Sequence, residues 1–207
     1  EKTTKIAVGS DHRGLSLKRE LVLVINDFLS RPGSGNIMEV VDVGTHCESP
    51  CDYTTAARKV AGMVSRGEAD MGILICGTGL GVSMVANKYK GVRAARCVDT
   101  ADILAARSHN NANVLCLSER GILGSPDPRQ WLGAWFSMQF HDWTNGDDPH
   151  RHKRRIEAMD ERLVVLEEIA ELASNATDLL DDSGYGGPSM ADEIRIKFQH
   201  LRQIDGL

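Results

Sequence analysis

The sequence predicts an α/β protein: a doubly wound, three-layer sandwich of about five parallel strands with a helical extension after it. Three observations lead there. Short apolar runs rich in Val and Ile alternate along the chain with helix-period patterns. The runs are continuous, not alternately polar and apolar, as expected of strands buried on both faces. Aromatic residues make up only 5% of the chain, so aliphatic packing must build the core.

The elements can be read in order. Lys5–Gly9 (KIAVG) reads as the first strand and Leu15–Leu29 as a helix. Met38–Val43 is the second strand, and Thr54–Ser65 the next helix. Met71–Ile75 (MGILI) is the third strand, followed by a helix from Leu80 to about Lys88. Arg93–Val98 and Val114–Leu117 are further strands, with a helix over Ala101–Arg107 between them. This strand–helix order makes the sandwich Rossmann-like, and ligands collect at the carboxyl ends of such strands. Asp127-Pro128 is a cap-then-proline start for a helix through Met138. Asp148-Pro149 repeats that signature before a long helix, in which Ile156, Met159, Leu163, Leu166 and Ala170 share one face. After about Ser174 the run SNATDLLDDSGYGGPS reads as a linker, and Met190–Arg202 as a last amphipathic helix. The expected segments are therefore a core over 1–150, a long helix over 151–174, and an extension over 175–207.

Composition excludes several classes. The 207 residues suit one core domain plus an appendage. A net charge of -5 argues against nonspecific nucleic-acid binding, which needs a broad positive surface. Five cysteines, an odd number without framework spacing, fit reduced thiols and a cytoplasmic location. No apolar stretch approaches the roughly 20 residues that span a bilayer. No leader pattern shows, because the first apolar run ends at Gly9-Ser10-Asp11. Cys47 and Cys51 form a CxxxC pair with no second ligand pair at suitable spacing, so no metal is expected.

Four motifs can carry chemistry. In Ile75-Cys76-Gly77-Thr78-Gly79-Leu80-Gly81-Val82-Ser83 a buried strand ends at a thiol and a glycine-rich turn opens a helix. Glycines let backbone N–H groups approach a ligand, and a helix start favours an anion or a thiolate. The run is not a P-loop, since no Gly-Lys-Ser/Thr follows. It fails the dinucleotide spacing at Val82 and follows the third strand, not the first. It can equally be a plain phosphate loop in which Cys76 only packs. Ser10-Asp11-His12-Arg13-Gly14 puts a carboxylate and an imidazole after the first strand, although Asp11 can also simply cap the helix. Ser108-His109-Asn110-Asn111 places a histidine in a polar turn. Arg151-His152-Lys153-Arg154-Arg155 opens the long helix. There cations oppose the dipole unless an anion sits among them, and Arg151 and Arg155 share a face. A solvated basic face is the alternative.

Taken together, KIAVGSDHRG, DVGTH followed by CDYTTAA, GILICGTGLGVSMVANKYKGVRAA, SHNNANVL and RHKRRIEAM resemble the ribose-5-phosphate isomerase B family, which includes the galactose-6-phosphate isomerase subunits. The resemblance covers roughly residues 4–170. It implies an aldose–ketose isomerase that needs no cofactor. Cys76 matches the catalytic base of the thiol branch, since Val82 stands where another branch has glutamate. Thr78 and the loop from Gly77 through Gly79 and Gly81 to Ser83 match the groups that hold an enediolate. Asp11 and His109 match residues tied to ring opening. His12, Arg120, Arg151 and Arg155 match phosphate ligands, and Tyr53 and Asn110 match groups near the sugar hydroxyls. It further implies a homodimer, in some members paired into a tetramer, with a shared site to which the neighbour brings His109 and Arg120. Ribose 5-phosphate is the default substrate, with tetrose and hexose phosphates as rivals, and a non-catalytic sugar-phosphate-binding protein on the same scaffold is the alternative of another class. Three features depart from the pattern: the longer segment Gln139–His150, Thr54 where a proline usually follows the Asp-Tyr pair, and the tail after about residue 174.

Overall fold

A computed structural model describes residues 3–29, 38–122, 124–125, 127–141, 150–183 and 195–200. Most of the insertion that carries Trp143 and the Asp148-Pro149 signature lies outside the described residues. The strands are β1 (Thr4–Ser10), β2 (Met38–Asp42), β3 (Met71–Cys76), β4 (Ala94–Arg96) and β5 (Val114–Ser118). The helices are α1 (Leu15–Leu29), α2 (Tyr53–Ser65), α3 (Leu80–Ala86), α4 (Thr100–Ser108), α5 (Pro128–Ser137) and α6 (Arg151–Ser183).

The strands form one parallel sheet in the order β2-β1-β3-β5-β4. Each apolar strand feeds both faces of it. Ile73 and Ile75 join the cluster under α1, α4 and α5, with Leu21, Ile103, Trp131 and Trp135. Leu74 and Cys76 point the other way, against Ala57, Val60, Val82 and Ala86 of α2 and α3. That is the predicted three-layer sandwich. Its consequence is local: the loop after β1 leads to one face and the loop after β3 to the other. The strands are direct neighbours, with Ser10 opposite Ile75. A crevice therefore opens between their carboxyl ends.

Among the described residues, three elements end more than one residue away from where they were expected. The helix after β3 stops at Ala86, not near Lys88, and β4 keeps only Ala94–Arg96 of the expected Arg93–Val98. The Asn87 side chain, just past the helix end, donates to the Ala94 carbonyl and accepts from its N–H, each at 2.8 Å, which clamps that end to the start of β4. The third change is α6, which runs on to Ser183 where a linker was expected after about Ser174. Ser174–Ser183 contains neither glycine nor proline, and the first breaker is Gly184.

The chain divides into two compact units, Glu1–His152 and Lys153–Leu207. In the second, residues 195–200 form a helical stretch against α6, with Lys197 paired to Glu168 and His200 Nε2 3.1 Å from Glu161. No helix among the described residues is long and apolar enough to cross a membrane.

A buried cation locks the β2 edge. Lys18 of α1 has 1% of its side chain exposed and donates to both Asp42 carboxylate oxygens (2.6 and 2.8 Å) and to the Thr45 carbonyl at 2.7 Å. It thereby fixes the end of β2 and the loop that follows. Removing it leaves Asp42 and a carbonyl without their donor. Lys18→Met should lower unfolding free energy by about 2 kcal/mol, read from urea denaturation; an unchanged midpoint would contradict this role.

Candidate active site

The crevice is floored by two turns laced together. Asp11 N–H donates to the Ile75 carbonyl at 3.2 Å, and Asp11 Oδ1 accepts from Gly14 N–H at 2.9 Å. Asp11 thus ties down its own turn ahead of α1, and the residue is only 5% exposed. Gly14 is glycine because a Cβ there would stand 2.7 Å from the Ile75 side chain.

Cys76 ends β3 with 4% exposure, and its Sγ accepts from the Gly79 N–H at 3.1 Å. That contact depends on Gly79 having φ +74°, a left-handed conformation, while its Cα lies against the Leu117 carbonyl carbon, 2.9 Å from where a Cβ would be. Thr78 Oγ1 accepts from Leu80 N–H at 3.3 Å, and its carbonyl accepts from Arg96 Nε at 2.8 Å. The Ser83 hydroxyl is turned into α3, donating to the Leu80 carbonyl at 2.7 Å. Tyr53, the first residue of α2, lays its ring on Gly81; a Cβ there would come within 2.6 Å of the ring. His12 stands on the β2 side, its Nδ1 accepting from Cys51 N–H at 3.1 Å.

On the β5 side lies a cavity of about 390 Å³ lined by Arg13, Gly77, Thr78, Arg96, Ser118 and Arg120. Arg120 here belongs to the same chain as Gly77 and Thr78. β5 lies beside β3, so the turn after β5 brings Arg120 to this cavity of its own chain.

His109, Asn110 and Arg151 are elsewhere. His109 caps the C-terminal end of α4. That helix leaves the carboxyl edge after β4 and returns to the amino edge before β5, where Arg107 donates to the Ala112 carbonyl at 2.6 Å. His109 stacks on His152 at 4.6 Å between centroids and 3° between planes, so the start of α6, with Arg151, is at that same edge. Arg151 Nε is buried with no hydrogen-bond partner among the described residues. A six-residue strand, roughly 15–20 Å long, separates these groups from Cys76. Arg155 is exposed on α6 in the second unit.

The other thiols differ in kind. Burial pushes Cys97 up to about 12 and Cys116 well above the ordinary thiol range. Cys47 and Cys51 are exposed, and hydrogen bonds from Thr45 and Ser49 draw the Cys47 thiol down. No group of three His, Cys, Asp or Glu among the described residues is placed to hold a metal.

Sequence reasoning passed over Arg13, Arg96 and Glu119. Arg13 stood inside a quoted motif. Nothing in the sequence linked it to Glu119, 106 residues on.

The sequence model described as Ribose/Galactose Isomerase matches residues 6–159. The chain belongs to the ribose/galactose isomerase family. The chain is 39% identical over 155 residues to ribose-5-phosphate isomerase B of Escherichia coli, covering 75% of this chain and 93% of that one. It is 37% identical over 139 residues to D-erythrulose-4-phosphate isomerase 2 of Mycolicibacterium smegmatis, covering 65% and 88%. Among solved structures, Mycoplasma genitalium ribose-5-phosphate isomerase B with bound ribulose-5-phosphate superposes with a TM-score of 0.64 at 37% identity, covering 76% of this chain and 95% of that one.

Two glycines of this isomerase separate strain from packing. Gly67 also has φ +70° but nothing lies within 4 Å of its would-be Cβ. Gly67→Ala should lose about 1 kcal/mol of stability and keep its turnover. Gly79→Ala should lose more stability and most of its activity, since its Cβ meets the β5 backbone. Equal effects in paired denaturation and activity assays would refute the packing argument.

Proposed function

We propose that this chain is a sugar-phosphate isomerase that converts ribose 5-phosphate to ribulose 5-phosphate, with Cys76 as the base, in a site shared by two copies. The observation that carries the base assignment is the Sγ at the β1–β3 crevice, held by the Gly79 N–H at the mouth of a glycine-rich loop. The thiolate takes the proton from C2 of the open-chain aldose. The pair of electrons released forms a cis-enediolate, and the loop amides of Gly77–Ser83 face the negative oxygen. Return of the proton to C1, with the hydroxyl proton moving from O2 to O1, gives the ketose.

The need for a second copy follows from distance. Ring opening by Asp11 and His109, and phosphate capture by His12 and Arg120 with Arg151 and Arg155, require groups from both edges of the sheet around one sugar. One chain holds His109 and Arg151 a strand's length from Cys76. A two-fold dimer brings the amino edge of one copy to the crevice of the other. Leu80 and Met84 of α3, 46% and 64% exposed beside the loop, give such a contact an apolar surface. Asn110 then reaches the sugar from the neighbour, and Tyr53 from the chain that supplies Cys76.

A coupled assay over four-, five- and six-carbon sugar phosphates tests the substrate, with the pentose phosphate expected to give the highest kcat/KM. A higher value for erythrulose 4-phosphate would move the assignment to a tetrose. Cys76→Ala should lose about 10²–10⁴ of kcat and the exchange of substrate hydrogen with heavy water; near-full activity would remove Cys76 from the chemistry. Sharing has its own test. Cys76→Ala and His109→Ala chains, each inactive, should regain activity when unfolded and refolded together, because a mixed dimer contains one site with both groups. No recovery, with mixed dimers shown by mass, would place each site within a single chain.

A further inference from the structure

One charged pair crosses the crevice and has no part in the reaction as described. Arg13, in the turn after β1, donates twice to the Glu119 carboxylate: Nε to Oε2 at 2.9 Å, and a terminal nitrogen to Oε1. Glu119 follows β5, and its N–H donates to the Cys76 carbonyl at 2.8 Å. The pair is therefore tied through the backbone to the residue that bears the thiol. The guanidinium lies over the next peptide: a Cβ on Gly77 would stand 3.1–3.2 Å from its Cζ, Nε and Nη1. A side chain at position 77 would press on it. Glu119 raises the Arg13 guanidinium above its ordinary range, and Arg13 holds the Glu119 carboxyl below its own, so both are charged at neutral pH.

We propose that Arg13 and Glu119 are a positioning pair that sets the charge around Cys76: Arg13 favours the thiolate, and Glu119 both anchors Arg13 and limits its reach. A guanidinium this close to the Cys76–Gly77 peptide stabilises an anion on that residue, and a nearby carboxylate opposes it. Other charged or titratable groups stand on the elements around the turn that carries Cys76. Asp11 and His12 come from the β1 turn, Arg120 from beyond β5, and Arg96 from β4 through the Thr78 carbonyl. Tyr53 comes from α2 over Gly81, and buried Cys116 lies behind on β5. Arg13 and Glu119 alone of these are bonded to each other across the turn that carries Cys76.

The inference rests on Cys76 being the reactive thiol, but its test does not need turnover. The full chain is alkylated with iodoacetamide between about pH 6 and 9, and the Cys76 peptide alone is followed by mass spectrometry. Arg13→Met should alkylate about tenfold more slowly at pH 7, the effect of moving the profile one pH unit upward. Glu119→Gln should alkylate faster than wild type, because Arg13 keeps its charge and loses its counter-ion. Arg13→Lys should restore most of the rate. In turnover, Arg13→Met should lower kcat with KM little changed, and its acid limb should move to higher pH. An Arg13→Met profile like wild type, or shifts of the same sign in Arg13→Met and Glu119→Gln, would overturn the proposal. If Arg13→Met fails to fold, the sign in Glu119→Gln and the rate in Arg13→Lys decide the matter. Activity in Cys76→Ala would instead sink the base assignment and leave the alkylation result standing.

Discussion

The hydrogen-bonded contact between β1 and β3 is the constraint on which the site depends. Ser10 pairs with Ile75, so both strands end at one level. The chain leaves β1 toward α1 and leaves β3 toward α3, on opposite faces of the sheet. Two loops that diverge from adjacent strand ends leave a gap that no side chain of the sheet can fill. Asp11 and Cys76 stand on its two banks. Close approach then does the rest: Gly14 and Gly79 let the turns touch β3 and β5 where any Cβ would collide.

Around that gap the polar groups are mostly engaged with the protein itself. Thr78 Oγ1 accepts from the Leu80 N–H, Ser83 bonds into α3, and Asp11 holds its own turn. This inward bonding gives the loop one shape before a ligand arrives, which is the condition for amides to stabilise charge without rearranging. Lys18 plays a similar part further out, where its contacts to Asp42 and the Thr45 carbonyl fix the loop leading to Tyr53.

Much of this was legible in the sequence. KIAVG, MGILI and VLCL read as strands because strands covered on both faces carry no polar alternation. The ICGTGLG run read as a site because glycines mark the places where backbone must come close. Contacts made by a single side chain were not legible: Asn87 clamps Ala94 by folding back on it, and no periodicity reports that. The order of β5 before β4 was equally hidden, and with it the reach of Arg120 into its own chain's loop. The Arg13–Glu119 pair required knowing which turns meet. The position of His109 was recoverable, because a helix that follows a strand in a parallel sheet must return to the amino edge, but a motif names residue types and not the pole on which they stand.

The two faces of the sheet also differ in what light can see. Trp131 and Trp135 of α5 both belong to the cluster under α1, α4 and α5, with Trp131 donating to the Ser125 carbonyl at 2.7 Å and Arg107 lying 5.1 Å over the Trp135 ring. The opposite cluster, where Cys76 packs on α2 and α3, is made of alanines, valines, leucine and thiols. Indole emission from these two residues therefore reports on one layer of the sandwich and is blind to the loosening of the layer that backs the reactive thiol.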